Sequence, residues 1–336
     1  FFDANVKGKI QFAQLGYSFT LFFNNYLNSF HQNGQLLEDT SGQNFVYDVK
    51  IKRLNELTSL FLPWLKVSND SRVKGEFDTK DGILGLDAQT DTLSVYGIVM
   101  NAFTLHAQSF REAITIETNI RKVNFFEMQQ DSGFSIGIEK FSLTSNVAYD
   151  SIHYKINWGL PDDSTSYGNL NGYLSFSQYP DILIQFVESS FTYDKQTYSI
   201  EPDNEIMIGN QAVAIRRLKI AGKDESLLIE GAYSPDPTQR LTANFKNFNL
   251  SHADIFLNSY GIQIGGLLSG FVHLQNENNK PLVQAEVGIE NLAVNRQDMG
   301  FMEISSQWNS QSKALSIKAK STVTYEQIQN HPIDLS

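Results

Sequence analysis

Cysteine is absent from this chain of 336 residues, which excludes a disulfide framework, a thiol nucleophile and any thiolate metal site. Proline is scarce, at 8 residues, and positive charge is short: 26 Lys and Arg stand against 37 Asp and Glu, a formal net charge of −11. So acidic a chain lacks the basic surface that neutralises nucleic-acid phosphates. Nor is it drawn electrostatically to an anionic membrane surface. No apolar run approaches the roughly 18 residues that a membrane-spanning helix needs. The opening residues, FFDANVKGKI, lack a basic start followed by an apolar core and do not read as a signal peptide.

Catalytic patterns are missing too. The six histidines, His31, His106, His153, His252, His273 and His331, are dispersed with no HxxxH or HExxH spacing. Ser269 stands in LLSGF, without the glycine two residues earlier that a nucleophile elbow requires. Gly261, Gly265 and Gly266 do not make a dinucleotide fingerprint. The acidic turn Asp162-Asp163-Ser164 lacks the remaining ligand ladder of a calcium loop. Asn69-Asp70-Ser71 and Asn249-Leu250-Ser251 match a glycosylation sequon, which matters only in a secreted eukaryotic protein. No cofactor, metal or catalytic residue is expected.

What is present is alternation. Hydrophobic residues make up 41% of the chain and charged residues 19%, with 24 Phe and 14 Tyr, so the chain is foldable and rich in strand formers. Phe45, Tyr47, Val49 and Ile51 alternate with polar neighbours; so do Ile114, Ile116 and Ile120, and Ile152, Tyr154, Ile156 and Trp158. Phe134, Ile136 and Ile138 make one such run, and Phe141, Leu143 and Val147 make another. Leu15, Tyr17, Phe19, Leu21 and Phe23 read the same way after a phase slip from Ile10 and Phe12. A slip from Ile182, Ile184 and Phe186 into Phe191 and Tyr193 predicts a β-bulge near Val187. Turns fall at Asn33-Gly34, Ser41-Gly42, Asp81-Gly82 and Ser132-Gly133. Roughly twenty short strands with polar turns make an all-β chain.

Two stretches depart from this period. LNELTSLFLPWLKV spaces Leu54, Leu57, Leu60, Phe61, Trp64 and Leu65 as a helix, with Asn55 as N-cap and Pro63 as its end. NLSHADIFLNSYG predicts a second helix over Ser251–Ser259, capped by Ser251 and stopped by Gly261. Each follows a strand and leads to another containing glycine before a bulky residue, giving related strand–helix–strand units near 45–77 and 241–272, roughly two hundred residues apart. Both helices are expected to cover apolar surface at the ends or rims of a sheet.

The longest alternation lies in GGLLSGFVHL and the following PLVQAEVGIEN. Leu268, Val272 and Leu274 share one face with Gly270, and Val283, Ala285, Val287 and Ile289 share one face of the next strand. Leu241, Ala243 and Phe245 alternate just upstream. Glu286 and Glu290 belong outside, in water. This face admits two architectures. Packed sheet on sheet, it closes a sandwich core. In one sheet that curls without closing, it lines an apolar trough able to hold acyl chains, each buried methylene contributing ~0.8 kcal/mol. One-sided alternation sustained over so many strands favours the trough.

The segment ANFKNFNLSHADIFLNSYGIQIGGLLSGFVHLQNENNKPLVQAEVGIENLAVNRQDMGFMEISSQW resembles the TamB proteins, translocation and assembly module subunits of Gram-negative envelopes and AsmA-like bridge-type lipid-transfer proteins. The features that carry the likeness are a short helix before a Gly-Phe strand and a strand led by Pro281 and ending IENLAVN. A turn at Met299-Gly300, before a strand ending at Trp308, completes them. FVESSFTYDKQTYSIEPDNEIMIGNQAVAIRRLKIAGKDESLLIEGAYS is similar to a linker of long Bacteroidetes-type TamB forms; together the two segments span about a third of the chain.

The resemblance implies one continuous periplasmic β-groove over 1–336, an elongated, curled antiparallel or mixed sheet shaped like a taco, with two short helices. It implies a non-enzymatic bridge carrying phospholipid acyl chains between inner and outer membranes and supporting outer-membrane protein assembly. A TamA-like outer-membrane barrel would be met, and the inner membrane anchored, through regions outside this chain. With Phe first and an unfinished strand last, the chain is expected to be an excerpt of a longer one. The competing expectation is a β-rich surface or adhesion protein with a closed core and functional loops.

Overall fold

The computed structural model describes residues 1–30, 42–127, 135–160, 163–193, 195–257, 260–277, 280–309 and 314–322. The turns expected at Asn33-Gly34 and Ser132-Gly133, together with Phe134 and Asp162, lie outside them. The described chain is all-β, its strands hydrogen-bonded as one antiparallel sheet of 21 strands. It divides into two compact units, Phe1–Leu183 with Ser189–Lys195, and Ile184–Glu188 with Gln196–Ser336. No parallel ladder joins the "mixed" expectation among the described pairings.

Unit 1 contains β1 (Phe2–Lys9), β2 (Asn44–Ile51), β3 (Leu65–Val67), β4 (Ser71–Asp78), β5 (Ile83–Val95), β6 (Ile98–Phe110), β7 (Ala113–Glu127), β8 (Ser135–Ala148), β9 (Ser151–Leu160) and β10 (Asp163–Ser175). It runs as a meander β1–β2–β4–β5–β6–β7–β8–β9–β10, with β3 beside the far end of β5. Phe45, Phe77 and Leu84 stand in register, as do Ile114, Val147 and Ile152. Registered residues of an antiparallel pair share a face, so this row is apolar except on β6, where Ser109 stands opposite Ile114. The opposite face carries the ion pairs Arg72–Asp48 and Lys74–Asp87 and a His106–Asp87 hydrogen bond.

β11 (Ile182–Phe186) and β12 (Ser189–Tyr193) replace the bulged strand expected around Val187. β11 pairs with a strand of unit 2 and β12 with β10. Polar side chains substitute for ladder partners on both sides of the break. The buried Asn204 side chain accepts from the Phe186 amide and donates to its carbonyl, both at 2.9 Å. Ser189 Oγ does the same for Asn171, also at 2.9 Å.

Unit 2 holds β13 (Gln196–Ile200), β14 (Glu205–Gly209), β15 (Ala212–Ala221), β16 (Ser226–Tyr233), β17 (Arg240–Asn249), β18 (Ile264–Glu277), β19 (Lys280–Val294), β20 (Gln297–Asn309) and β21 (Ala314–Thr322). From β14 to β21 each strand pairs with the next. Met299 and Gly300 lie inside β20, not in a turn as expected. The turn is Asn295-Arg296, whose φ values of 49° and 67° suit a tight hairpin. Gly300, at φ 72°, marks a register shift against Leu292.

The phase slip between Ile138 and Phe141 proves to be internal to a strand. Ile120 faces Phe141 and Val123 faces Ile138, so both strands skip one residue at the same level and stay in register. Positive φ at Ala102 and Lys140 supplies the local distortion in β6 and β8. The two runs around Lys140 are therefore one strand.

Among the described residues three α-helices interrupt the sheet: α1 (Leu15–Asn24), α2 (Asn55–Phe61) and α3 (Asp254–Leu257), the last preceded by a 3-10 turn over Leu250–Ala253. α1 corrects the strand expected over 15–23 and the count of two helices. Leu15, Phe19 and Phe22 of α1, with Tyr26 just beyond its end, follow helical spacing and pack on Phe45, Phe77, Leu84, Ile114 and Val147. α2 stops before Pro63, as the ring demands, but Leu65–Val67 is strand. Its first helical residue is Asn55, with Leu54 at the cap position and no side-chain cap bond. Phe61 is 77% exposed, and the side chains of Leu57 and Leu60 lie outside those described. The 3-10 turn is capped by Asn249, whose side chain accepts from the Ser251 amide at 3.0 Å, not by Ser251 itself. In unit 1 β2 and β4, on either side of the α2–β3 segment, pair directly, and in unit 2 β17 and β18 pair directly across the short helix.

Candidate lipid-binding face

Register in unit 2 sorts the residues singled out from the sequence. Leu241 faces Leu274, which faces Val283; Ala243 faces Val272, which faces Ala285; Phe245 faces Gly270, which faces Val287; Leu268 faces Ile289. All ten expected residues thus share one face of the β17–β18–β19 sheet. The rows extend further than the sequence reading took them. One runs Ile220, Leu227, Phe245, Gly270, Val287, Ile304 and Ala319 across seven strands. Another runs Leu218, Ile229, Ala243, Val272 and Ala285.

The reverse face is mostly polar, with Leu228, Phe271 and the buried Leu282 as its apolar members. Asn244, Phe271, Glu286, Ser305 and Lys318 stand in one row, and Thr242, His273 and Gln284 in another. Glu286 and Glu290 are exposed, as expected of that face.

Burial separates this surface from a packed core. Of the ten residues only Ile289 is buried; Val283 is 45% exposed and the other eight are half-buried. The row under α1 in unit 1 behaves differently, with Phe77 at 1% and Ile114 at 0%. Interior faces of a sandwich interdigitate and lose nearly all solvent contact. A contiguous apolar face left half-open is instead the kind of surface that binds something.

Gly270 has φ 129°. A Cβ there would strike the Glu286 carbonyl oxygen and lie 2.8 Å from Val287 Cα, so glycine is what lets β18 approach β19 this closely. Gly270→Ala is expected to destabilise unit 2 by roughly 1–3 kcal/mol through backbone strain. Urea unfolding monitored by circular dichroism measures it, and a loss under about 0.5 kcal/mol would show the strand giving way without strain.

A buried polar cluster fixes the link that leads into β18. Tyr198 on β13 and Glu225 before β16 are 5% and 6% exposed. The Tyr198 hydroxyl donates to Glu225 Oε1 at 2.5 Å and lies 2.8 Å from His252 Nε2 in the 3-10 turn. The Asn249 amide donates to Glu225 Oε2 at 2.9 Å. Burial pushes the Glu225 pKa up, but the Asn249 amide, the Tyr198 hydroxyl and His252 together hold it below its ordinary 4.5.

A carboxylate with a depressed folded pKa contributes stability that is fully present above its unfolded value and lost as pH falls through the folded one. Unit 2 should therefore weaken on acidification below about pH 4.5. Tyr198→Phe is expected to cost about 1.5–3 kcal/mol at neutral pH and to flatten that acid limb. Unfolding curves taken at several pH values decide it; an unchanged limb would remove Glu225 as its source. This cluster was not legible before the fold was known, because its members are far apart in the chain.

Among the described residues no group of three or more His, Asp or Glu side chains is placed to hold a metal ion. No described helix is long and apolar enough to cross a membrane, a statement that does not concern strands. Comparison with family models, with curated proteins and with solved structures finds no match.

Proposed function

We propose that this chain is a non-enzymatic segment of a TamB-like periplasmic bridge, whose apolar face carries phospholipid acyl chains between the inner and outer membranes and so supports outer-membrane biogenesis. The supporting observation is the half-open apolar face of unit 2, with rows in register across as many as seven strands and a mostly polar face behind it. Each methylene withdrawn from water onto such a face is worth ~0.8 kcal/mol, so an acyl chain gains several kcal/mol without any charged contact. The sequence likeness to TamB supports the same assignment. A TamA-like barrel and an inner-membrane anchor would act through regions outside this chain.

Lipid extraction and mass spectrometry of the purified protein test the proposal. Phospholipid should leave with the organic phase at a reproducible ratio to protein. A protein that folds, stays monodisperse and carries no lipid from either membrane-containing lysate or added vesicles would favour a surface or adhesion protein acting through its loops.

A further inference from the structure

We infer that α1 is the closed end of an acyl-binding site on the apolar face of unit 1, so that an aliphatic chain lying there stops against the helix. The inference rests on the lipid-carrying reading above and locates a boundary within it.

α1 is docked by more than hydrophobic contact. Phe19 stacks on Phe77 at 4.4 Å between ring centroids, and Phe22 meets the same ring edge-on at 5.3 Å. Gln43 is fully buried and serves the start of the helix: its Oε1 accepts from the Gln11 amide at 2.9 Å and its Nε2 donates to the Gln11 carbonyl at 3.1 Å. Beyond the far end, Asp150 accepts from the Ser29 amide at 2.7 Å and its own amide donates to the Tyr26 carbonyl at 3.0 Å. An amphipathic helix tied at both ends over one row of a sheet behaves as a fixed part of it.

The covered row does not end the apolar face. The next row runs Tyr47, Gly75, Leu86, Ala107 and Ile116; Ala107 is buried, while Tyr47 and Ile116 pack against the α1 cluster on one side and, like Leu86, stay half-buried. Beyond them Val49, Val73 and Leu105 are also half-buried. The surface continues from an interface already occupied by an apolar segment of the chain itself, and its open part asks for an occupant of the same chemistry. A flexible hydrocarbon chain suits it because these rows offer apolar area without a charged side chain. α1 would then oppose the methyl end of that chain.

A phosphatidylcholine carrying a photoreactive diazirine at its acyl terminus tests this on the whole chain. After loading from vesicles, irradiation and peptide mapping, the label is expected on Leu105 or Ile116 and absent from Phe45, Phe77 and Ile114. In Phe19→Ala with Phe22→Ala, or in Gln43→Leu if that pair fails to fold, the label should reach Phe77 and Ile114. Labelling of those residues in the parent overturns the stop while leaving lipid carriage intact. A parent that carries extractable lipid but no label anywhere in unit 1 overturns the site itself. Absence of extractable lipid is the separate failure of the broader reading.

Discussion

Replacing Phe77 by Ala is expected to remove about 3–5 kcal/mol of stability, the largest single-residue loss among the substitutions considered. The ring is 1% exposed and touches Phe19, Phe22 and Phe45. Its loss removes the transfer energy of a whole aromatic side chain and leaves a cavity beneath α1 that Gln43 and Asp150 keep from collapsing, since they hold both ends of the helix segment. Phe61→Ala is the matched control: the same atoms leave, but from a ring already 77% in water, and the change should fall within about 0.5 kcal/mol. Chemical denaturation of both variants measures the difference. Equal small losses would mean that the packing of α1 contributes little to the fold of unit 1.

The same helix shows where sequence reading fails. Leu15, Tyr17, Phe19, Leu21 and Phe23 satisfy a period of two, and that pattern read as a strand. The residues that pack are Leu15, Phe19, Phe22 and Tyr26, a spacing of four, three and four that the overlapping aromatics concealed. Tertiary packing decided between two patterns that local propensity could not separate. The β18–β19 hairpin was legible for the opposite reason. Both of its strands alternate without interruption through the centre, and one-sided alternation fixes the register that puts Leu274 against Val283.

Extension of those rows over β15, β16, β20 and β21 was not legible. Register shifts between Ile215 and Leu218, between Phe245 and Phe248, and between Ile289 and Leu292 change the phase along each strand. Only the pairing shows that Phe248 lies opposite Leu268. The break after Phe186 looked like a bulge because a bulge and a strand end both shift the phase of alternation. Asn204 and Ser189, which end the ladders there, are ordinary polar residues until their partners are known.

Val287→Asp is expected to keep the protein folded and to deplete its bound lipid. Val287 stands mid-row between Gly270 and Ile304, half-buried on the apolar face. A carboxylate there retains access to water, so the cost to folding should be about 1–2 kcal/mol and not the larger penalty of a charge sealed in a core. An acyl chain laid along the row would strip that water away. With no cation in the row to pair with it, the carboxylate would resist desolvation and the chain would bind less well. Glu286→Lys alters charge one residue away but on the reverse face, opposite Phe271 and Ser305. It should change neither lipid content nor melting temperature. Lipid-to-protein ratio and thermal unfolding, measured on parent and both variants, separate the cases. Unfolding of Val287→Asp together with a lipid-free parent would mean the face is a closed core in solution. Undiminished lipid in a folded Val287→Asp would mean that acyl chains bind elsewhere, since a charge in their path must displace them.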